Sequence, residues 1–130
     1  VGKERAMTSY GWKSMLEAGI SVAAGTDAPV ESMNPLLGVY AAVTRKDLEG
    51  MPKDGWMKTQ KLTVYEIMQL YTKGGAFATF EEKDKGMLRE GMLADLAILS
   101  EDPFEAEDDA IKDIEVLSTV VGGEIVYSEI

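Results

Sequence analysis

The residues best suited to chemistry in this sequence are Gly25, Thr26 and Asp27, which directly follow the short apolar run 20–24. The run has the length and composition of a buried strand. A carboxylate just beyond the end of a strand is a candidate general base or metal ligand, because α/β barrels carry their chemistry at strand ends. The alternative is that Asp27 caps a turn through nearby backbone amides, as Asp often does. Spacing alone favours the turn-capping role.

Two further side chains are weaker candidates for substrate binding. Arg45 could bind a substrate carboxylate through a bidentate pair, although a solvated arginine beside the negative end of a helix is the favoured alternative. Trp56 lies in a long loop and could close over a substrate. Its favoured alternative is a hydrophobic anchor for that loop.

The types of metal ligand in the sequence are restricted, because it contains no histidine and no cysteine. Asp27 can therefore be one member of a metal site but cannot be the whole site. The eight methionines are expected to be adaptable core residues. We expect no metal to be bound tightly by this chain alone.

Composition narrows the class of protein. The chain has 130 residues, 45% of them hydrophobic, and a formal net charge of -10, which predicts one domain-sized unit with a packed core. The acidic balance disfavours a nucleic-acid partner. The lack of cysteine excludes a disulfide framework and fits a cytoplasmic location. No apolar run is long enough to cross a membrane and no signal peptide is present. Since the chain starts at Val1 and not at Met, we expect it to be part of a longer protein.

The first part of the chain has mainly helical patterns. Each predicted helix begins at a residue that can cap a helix N-terminus: Ser9 for residues 9–18, Asn34 followed by Pro35 for the second, and Thr63 with Glu66 as a capping box for the third, which Gly74 and Gly75 end. Residues 20–24 form the predicted strand between the first two helices. Residues 46–61 contain glycine, proline and scattered charge, which predicts a long loop.

The second part predicts short strands and tight turns. The strands are expected at 94–99, 116–121 and 124–127, and Gly122-Gly123 joins the last two as a two-residue hairpin turn. Asp95 is expected to be structural, fixing the turn into the first of these strands. The acidic residues of 105–109 are expected to form a solvated loop.

Five segments occur in a fixed order along the chain: MLEAGI with GTDAPV at 15–30, NPLLGVYAAVTR at 34–45, GW and QKLT at 55–63, KGMLREGMLADLAIL at 85–99, and TVVGGEIVY at 119–127. This ordered set resembles the amidohydrolase superfamily, in the branch called YtcJ-like or amidohydrolase family 3. The single triplet Gly-Thr-Asp is a weak signal, whereas the ordered set is a specific one.

The resemblance implies a mixed α/β fold that forms the C-terminal portion of a larger enzyme. Residues 1–82 would be the last strand and helices of a metal-dependent (β/α)8 barrel, and residues 83–130 would be strands of a small β-sandwich. It places Asp27 at the end of the eighth strand, where the carboxylate is a metal ligand and general base. The cofactor it implies is a divalent metal, with zinc as the expected ion, whose other ligands include histidines from outside this chain.

The activity that the resemblance implies is hydrolysis of a carbon–nitrogen bond in a small amide or cyclic amide, with this part alone inactive. Two alternatives remain: a stand-alone binding module that kept the fold without the chemistry, and a related hydrolase that acts on esters or on deaminated rings. We also expect the chain to self-associate, because strand edges and apolar helix faces are left open. The expected contacts are the hairpin of 116–121 and 124–127, and the face with Trp12 and Leu16.

Overall fold

The computed structural model describes residues 2–130 as a layer of helices beside a small antiparallel sheet. The helices are α1 (Lys3–Ala6), α2 (Trp12–Glu17), α3 (Pro35–Thr44), α4 (Val64–Gln69) and α5 (Gly75–Ala78), with a π-helical turn (Leu70–Gly74) between the last two. Short 3-10 helices occur at Lys58–Gln60 and Asp108–Asp113. The strands are β1 (Leu96–Leu99), β2 (Val116–Val121) and β3 (Glu124–Ser128), paired in the order β1-β2-β3. The observed fold class is therefore mixed α/β.

Helix α3 is the centre of the hydrophobic core. It begins as predicted, with Pro35 in its first turn and the Asn34 side-chain oxygen accepting a hydrogen bond from the Leu36 amide at 3.0 Å. Such a cap satisfies an amide that has no partner within the helix. Half of the buried core residues lie on this helix and the others come from later parts of the chain: Leu36, Val39, Tyr40, Ala42, Val43, Leu62, Ile67, Leu70, Ile111 and Ile114.

The third predicted helix begins at Thr63 with the expected capping box. The Thr63 hydroxyl accepts from the Glu66 amide, and the Glu66 carboxylate accepts from the Thr63 amide at 2.9 Å. The predicted end at Gly74 and Gly75 is wrong, since the chain continues through the π-helical turn into α5. Both glycines have right-handed helical backbone angles, so they do not stop the helix.

The first predicted helix starts three residues later than expected. The Ser9 hydroxyl donates to the Arg5 carbonyl, so it closes the end of α1 and does not cap α2. Tyr10 has a left-handed φ of 51°, which separates the two helices. Helix α2 begins at Trp12 after Gly11, which makes no side-chain cap.

The predicted strand at 20–24 is wrong, because these residues belong to no strand of the described chain. A strand is defined by a ladder of bonds to a neighbouring strand. Here the Ala24 amide donates to the Leu70 carbonyl in a helical element instead. Burial nevertheless alternates along the segment, with Val22, Ala24 and Thr26 half-buried and their neighbours exposed. One face of the segment therefore packs on the helical layer, as one face of a strand would.

The three strands lie where the sequence predicts them, except that β1 begins at Leu96 and β3 ends at Ser128. Gly122 and Gly123 form the turn between β2 and β3, both with positive φ as a two-residue hairpin turn requires. The Asp95 carboxylate accepts a hydrogen bond from the Gly122 amide at 2.7 Å, which confirms its structural role. The acidic stretch forms a 3-10 helix at Asp108–Asp113 and not only a loop. None of the helices within residues 2–130 has the length and apolar character needed to cross a membrane.

Candidate active site

The Asp27 side chain is exposed at the end of the segment that leads from α2 to α3. Its backbone has a left-handed φ of 59°, a conformation that Asp tolerates better than most residues. The turn here is closed by the Asp27 carbonyl, which accepts from the Val30 amide at 2.9 Å, and by the Thr26 hydroxyl, which accepts from the Ala28 amide. No hydrogen bond or ion pair of residues 2–130 involves the Asp27 carboxylate. The carboxylate is therefore exposed to solvent and does not cap this turn.

The segment before Asp27 contacts the π-helical turn at Val22, Ala24 and Gly25. The Ala24 amide donates to the Leu70 carbonyl at 3.1 Å, and the Tyr71 hydroxyl donates to the Gly25 carbonyl in a long contact of 3.4 Å. Gly74 lies so close that a Cβ there would be 2.6 Å from the carbonyl oxygen of Val22. These contacts fix the backbone of residues 22–25 against the helical layer.

Tyr71 also contacts α3. A Cβ at Gly38 would overlap the Tyr71 hydroxyl, so the absence of a side chain at Gly38 leaves room for the phenol. Burial raises the pKa of Tyr71, which keeps the hydroxyl protonated as a donor at neutral pH. A cavity of about 260 Å³ is lined by residues of this segment, such as Gly25, and of α3, such as Ala41.

Arg45 follows α3 directly and its side chain is 7% exposed. Its Cζ atom lies 5.0 Å from the ring centroids of both Trp12 and Trp56. Its Nε atom donates to the Trp56 carbonyl at 3.0 Å and its Nη1 atom donates to the Tyr10 carbonyl at 3.3 Å. Burial lowers the pKa of the guanidinium. The favoured prediction of a solvated arginine at the helix end is therefore wrong.

Trp56 contacts the same guanidinium as Trp12. Its amide donates to the Arg45 carbonyl at 2.7 Å, and its ring meets the Tyr10 ring edge-on at a centroid distance of 6.0 Å. The side chain is 37% exposed. These contacts attach the loop 46–61 to the end of α3, which is the arrangement expected of a loop anchor. Substrate binding by Arg45 or Trp56 stays a prediction.

The structure brings Arg45 and Trp56 together but joins neither to Asp27 by a hydrogen bond or ion pair of the described residues. Arg45 and Trp56 therefore share one set of contacts at the end of α3, and Asp27 takes part in none of them.

Within residues 2–130, no group of three or more acidic residues is arranged to hold a metal ion. Asp27 offers one carboxylate ligand, and a complete site needs three or four ligands. The residues described here do not by themselves fit a bound metal, so any metal chemistry requires ligands from outside this chain.

Sequence reasoning did not identify the residues that hold Asp27 in place. The sequence pattern assigns no role to Tyr71 and predicts a helix end at Gly74. The available signal was the pair Gly74-Gly75 directly after a helical pattern, because glycine inside a helix often marks close packing of a second backbone.

Comparison with known proteins agrees with the resemblance in the sequence. The model of the amidohydrolase family 3 matches residues 1–127. The chain is 39% identical over 99% of its length to YtcJ of Bacillus subtilis (strain 168), whose name assigns it to the amidohydrolases. It is 29% identical over 88% of its length to N-substituted formamide deformylase of Arthrobacter pascens, and 34% identical over 98% of its length to protein LONG AFTER FAR-RED 3 of Arabidopsis thaliana.

The chain spans 24% of the length of the Bacillus relative and 21% of each of the other two. No solved structure matches it significantly. The family match covers nearly the whole chain and includes the segment that carries Asp27. The chain belongs to the amidohydrolase family.

Proposed function

We propose that this chain is the C-terminal part of a hydrolase that cleaves a carbon–nitrogen bond in a small amide or cyclic amide. Membership of the amidohydrolase family supports this reaction class. One relative is named as a deformylase of N-substituted formamides, so amides of this kind are the first substrates to test. The much greater length of the relatives supports a complete protein that is longer than 130 residues.

The observation that carries the proposal is the exposed Asp27 carboxylate at the end of an anchored segment. Its oxygens make no hydrogen bond within residues 2–130, whereas the backbone before it is held at Val22, Ala24 and Gly25. A free carboxylate on a fixed backbone suits a proton acceptor, because general-base catalysis requires a group within hydrogen-bond reach of the proton that it removes.

In the proposed reaction, Asp27 accepts a proton from the water that attacks the amide carbon. The carbon–oxygen bond forms, the carbon–nitrogen bond breaks, and the proton passes from Asp27 to the leaving nitrogen. The products are a carboxylic acid and an amine, which remain joined in one ring-opened molecule when the substrate is a cyclic amide. A divalent metal, with zinc as the expected ion, would lower the pKa of the attacking water, and Asp27 would be one of its ligands.

We also propose that residues 1–82 are the last part of a (β/α)8 barrel in the complete protein, with the three-stranded sheet as part of a small sandwich. The alternating burial of residues 20–26 supports the proposal, because one face of that segment already packs on the helical layer. The other face is exposed, as expected for residues that would face a barrel interior supplied by the remaining polypeptide.

The test is the Asp27→Asn substitution in the complete protein, with Glu31→Gln as the matched control. Glu31 is an exposed carboxylate four residues further along the same loop. Formation of a free amino group is measured with an N-alkylformamide and with a cyclic amide as substrates. We expect Asp27→Asn to lower kcat by roughly 10²–10⁴-fold, the scale of lost general-base assistance, and Glu31→Gln to leave kcat near the wild-type value.

The stability of both variants is measured alongside turnover, because a loss caused by unfolding would not identify a catalytic group. Unchanged turnover in Asp27→Asn would contradict the role of Asp27. A wild-type protein that forms a free amino group from neither compound would contradict the proposed amide hydrolysis and favour a non-catalytic module.

A further inference from the structure

The π-helical turn Leu70–Gly74 has a hydrogen-bond pattern that connects it to the segment before Asp27. The Leu70 carbonyl accepts from the Gly75 amide, five residues on, instead of the fourth amide of an α-helix. The same carbonyl also accepts from the Ala24 amide at 3.1 Å. Turns of this kind are rare inside α-helices and often lie at functional sites. The widened turn therefore provides an acceptor for the backbone of the neighbouring segment.

The two glycines that follow differ in the space around them, although their backbones are alike. Gly74 has φ -61° and Gly75 has φ -60°, so neither position needs glycine for its conformation. A Cβ at Gly74 would lie 2.6 Å from the Val22 oxygen and 3.1 Å from the Ala23 Cα, whereas a Cβ at Gly75 would meet no atom within 4 Å. The close approach of the segment therefore explains why position 74 has no side chain, but it does not explain the glycine at position 75.

We propose that the π-helical turn Leu70–Gly74 is the positioning element for Asp27, a proposal that rests on the function proposed above. The turn fixes the backbone of Val22, Ala24 and Gly25, and the carboxylate follows two residues later. Gly74 and Tyr71 are positioning residues, because they act through this backbone and contact no reacting group. A displacement of about 1 Å at a catalytic group can cost roughly 100-fold in rate, so the anchoring has a measurable effect.

The first test compares Gly74→Ala with Gly75→Ala in the complete protein by amide hydrogen exchange. Alanine increases helix propensity at both positions, but only Gly74→Ala forces the helix away from the segment. We expect the peptide that covers residues 20–27 to lose protection in Gly74→Ala and to keep it in Gly75→Ala. This measurement needs no substrate and no activity.

The second test measures kcat for the N-alkylformamide in the wild-type background and in the Asp27→Asn background. We expect Gly74→Ala to lower kcat roughly 10–100-fold with little change in KM, and Gly75→Ala to leave it near the wild-type value. In the Asp27→Asn background Gly74→Ala should lower kcat no further, because its effect passes through the carboxylate.

Equal protection in the two glycine variants would overturn the proposal. So would a loss of kcat in Gly74→Ala that is just as large without the Asp27 carboxylate. A wild-type protein that does not hydrolyse the formamide would contradict the proposed function, and the exchange result would still decide whether the π-helical turn anchors the segment.

Discussion

The helical layer and the three-stranded sheet bury their side chains to very different extents. Helix α3 alone contributes six buried residues, whereas Ser118 is the one buried residue among those of the sheet. Every residue of β3 is exposed, and Ile125 is 69% exposed. The helical layer therefore has its own core within residues 2–130, and Leu99 of β1 packs against it, whereas the apolar side chains of β3 lack a covering layer there.

This difference indicates where the stability of the chain resides. Apolar burial is the dominant favourable term in folding, so substitutions around α3 should cost far more than substitutions in β3. It also indicates which surface is available for association. The expected self-association through the hairpin of β2 and β3, and the division at residue 82, both stay predictions.

The largest expected effect comes from truncating the residue that joins the second half of the chain to the core. Ile111 is 0% exposed and lies in the 3-10 helix Asp108–Asp113, which packs on α3. Ile111→Ala should lower the free energy of unfolding by about 2–5 kcal/mol. Ile125→Ala is the matched control and should change it by less than about 0.5 kcal/mol. Urea unfolding measures both variants. Equal losses of unfolding free energy would contradict the conclusion that the core around α3 stabilises the chain far more than β3 does.

A smaller effect is expected at Arg45, where the helical layer encloses a charge. Arg45→Ala removes two stacking contacts with tryptophan rings and two hydrogen bonds to carbonyl groups. In the wild type, the cost of desolvating the guanidinium offsets part of the stabilisation from these contacts. We therefore expect Arg45→Ala to lower the free energy of unfolding by about 2–3 kcal/mol. The exposed Arg89 provides the control, and Arg89→Ala should change little. If Arg45→Ala unfolds at the same urea concentration as Arg89→Ala, the contacts of Arg45 do not stabilise the fold.

The smallest effect concerns the pH dependence of the helical layer. The Lys13 ammonium, and then the Thr63 amide, hold the pKa of the Glu66 carboxyl below its usual range. A carboxylate with a lowered pKa in the folded state adds stability above its unfolded pKa, and that stability is lost as the pH falls through the folded pKa. The difference in unfolding free energy between wild type and Glu66→Gln should therefore shrink between pH 7 and pH 3. A difference that stays constant over this range would exclude the ion pair and capping box as its source.

The features that the sequence predicted correctly are local. The Asn34 cap and the Thr63–Glu66 capping box each join residues no more than three apart, and the hairpin turn depends on two adjacent glycines. Their hydrogen bonds can be inferred from side-chain chemistry at fixed spacing. The family was identified from the order of such motifs along the chain.

The features that the sequence did not predict depend on distant partners. Residues 20–24 are apolar enough for a strand, but a strand also needs a neighbouring strand, and the described residues offer none. Gly74 is equally typical of a helix end and of close backbone packing, and only the position of Val22 distinguishes the two. The enclosure of Arg45 requires Trp12 and Trp56 to meet from separate parts of the chain.

The contact between Asp95 and the hairpin turn has a consequence for strand alignment. The Gly122 amide donates to the Asp95 carboxylate and the Gly123 amide donates to the Ala94 carbonyl at 3.1 Å, so the turn is attached to the two residues before β1. A slip of one residue between strands would move every side chain to the opposite face of the sheet. By fixing Leu96 opposite Val120, this attachment determines which apolar face the sheet offers to whatever packs against it.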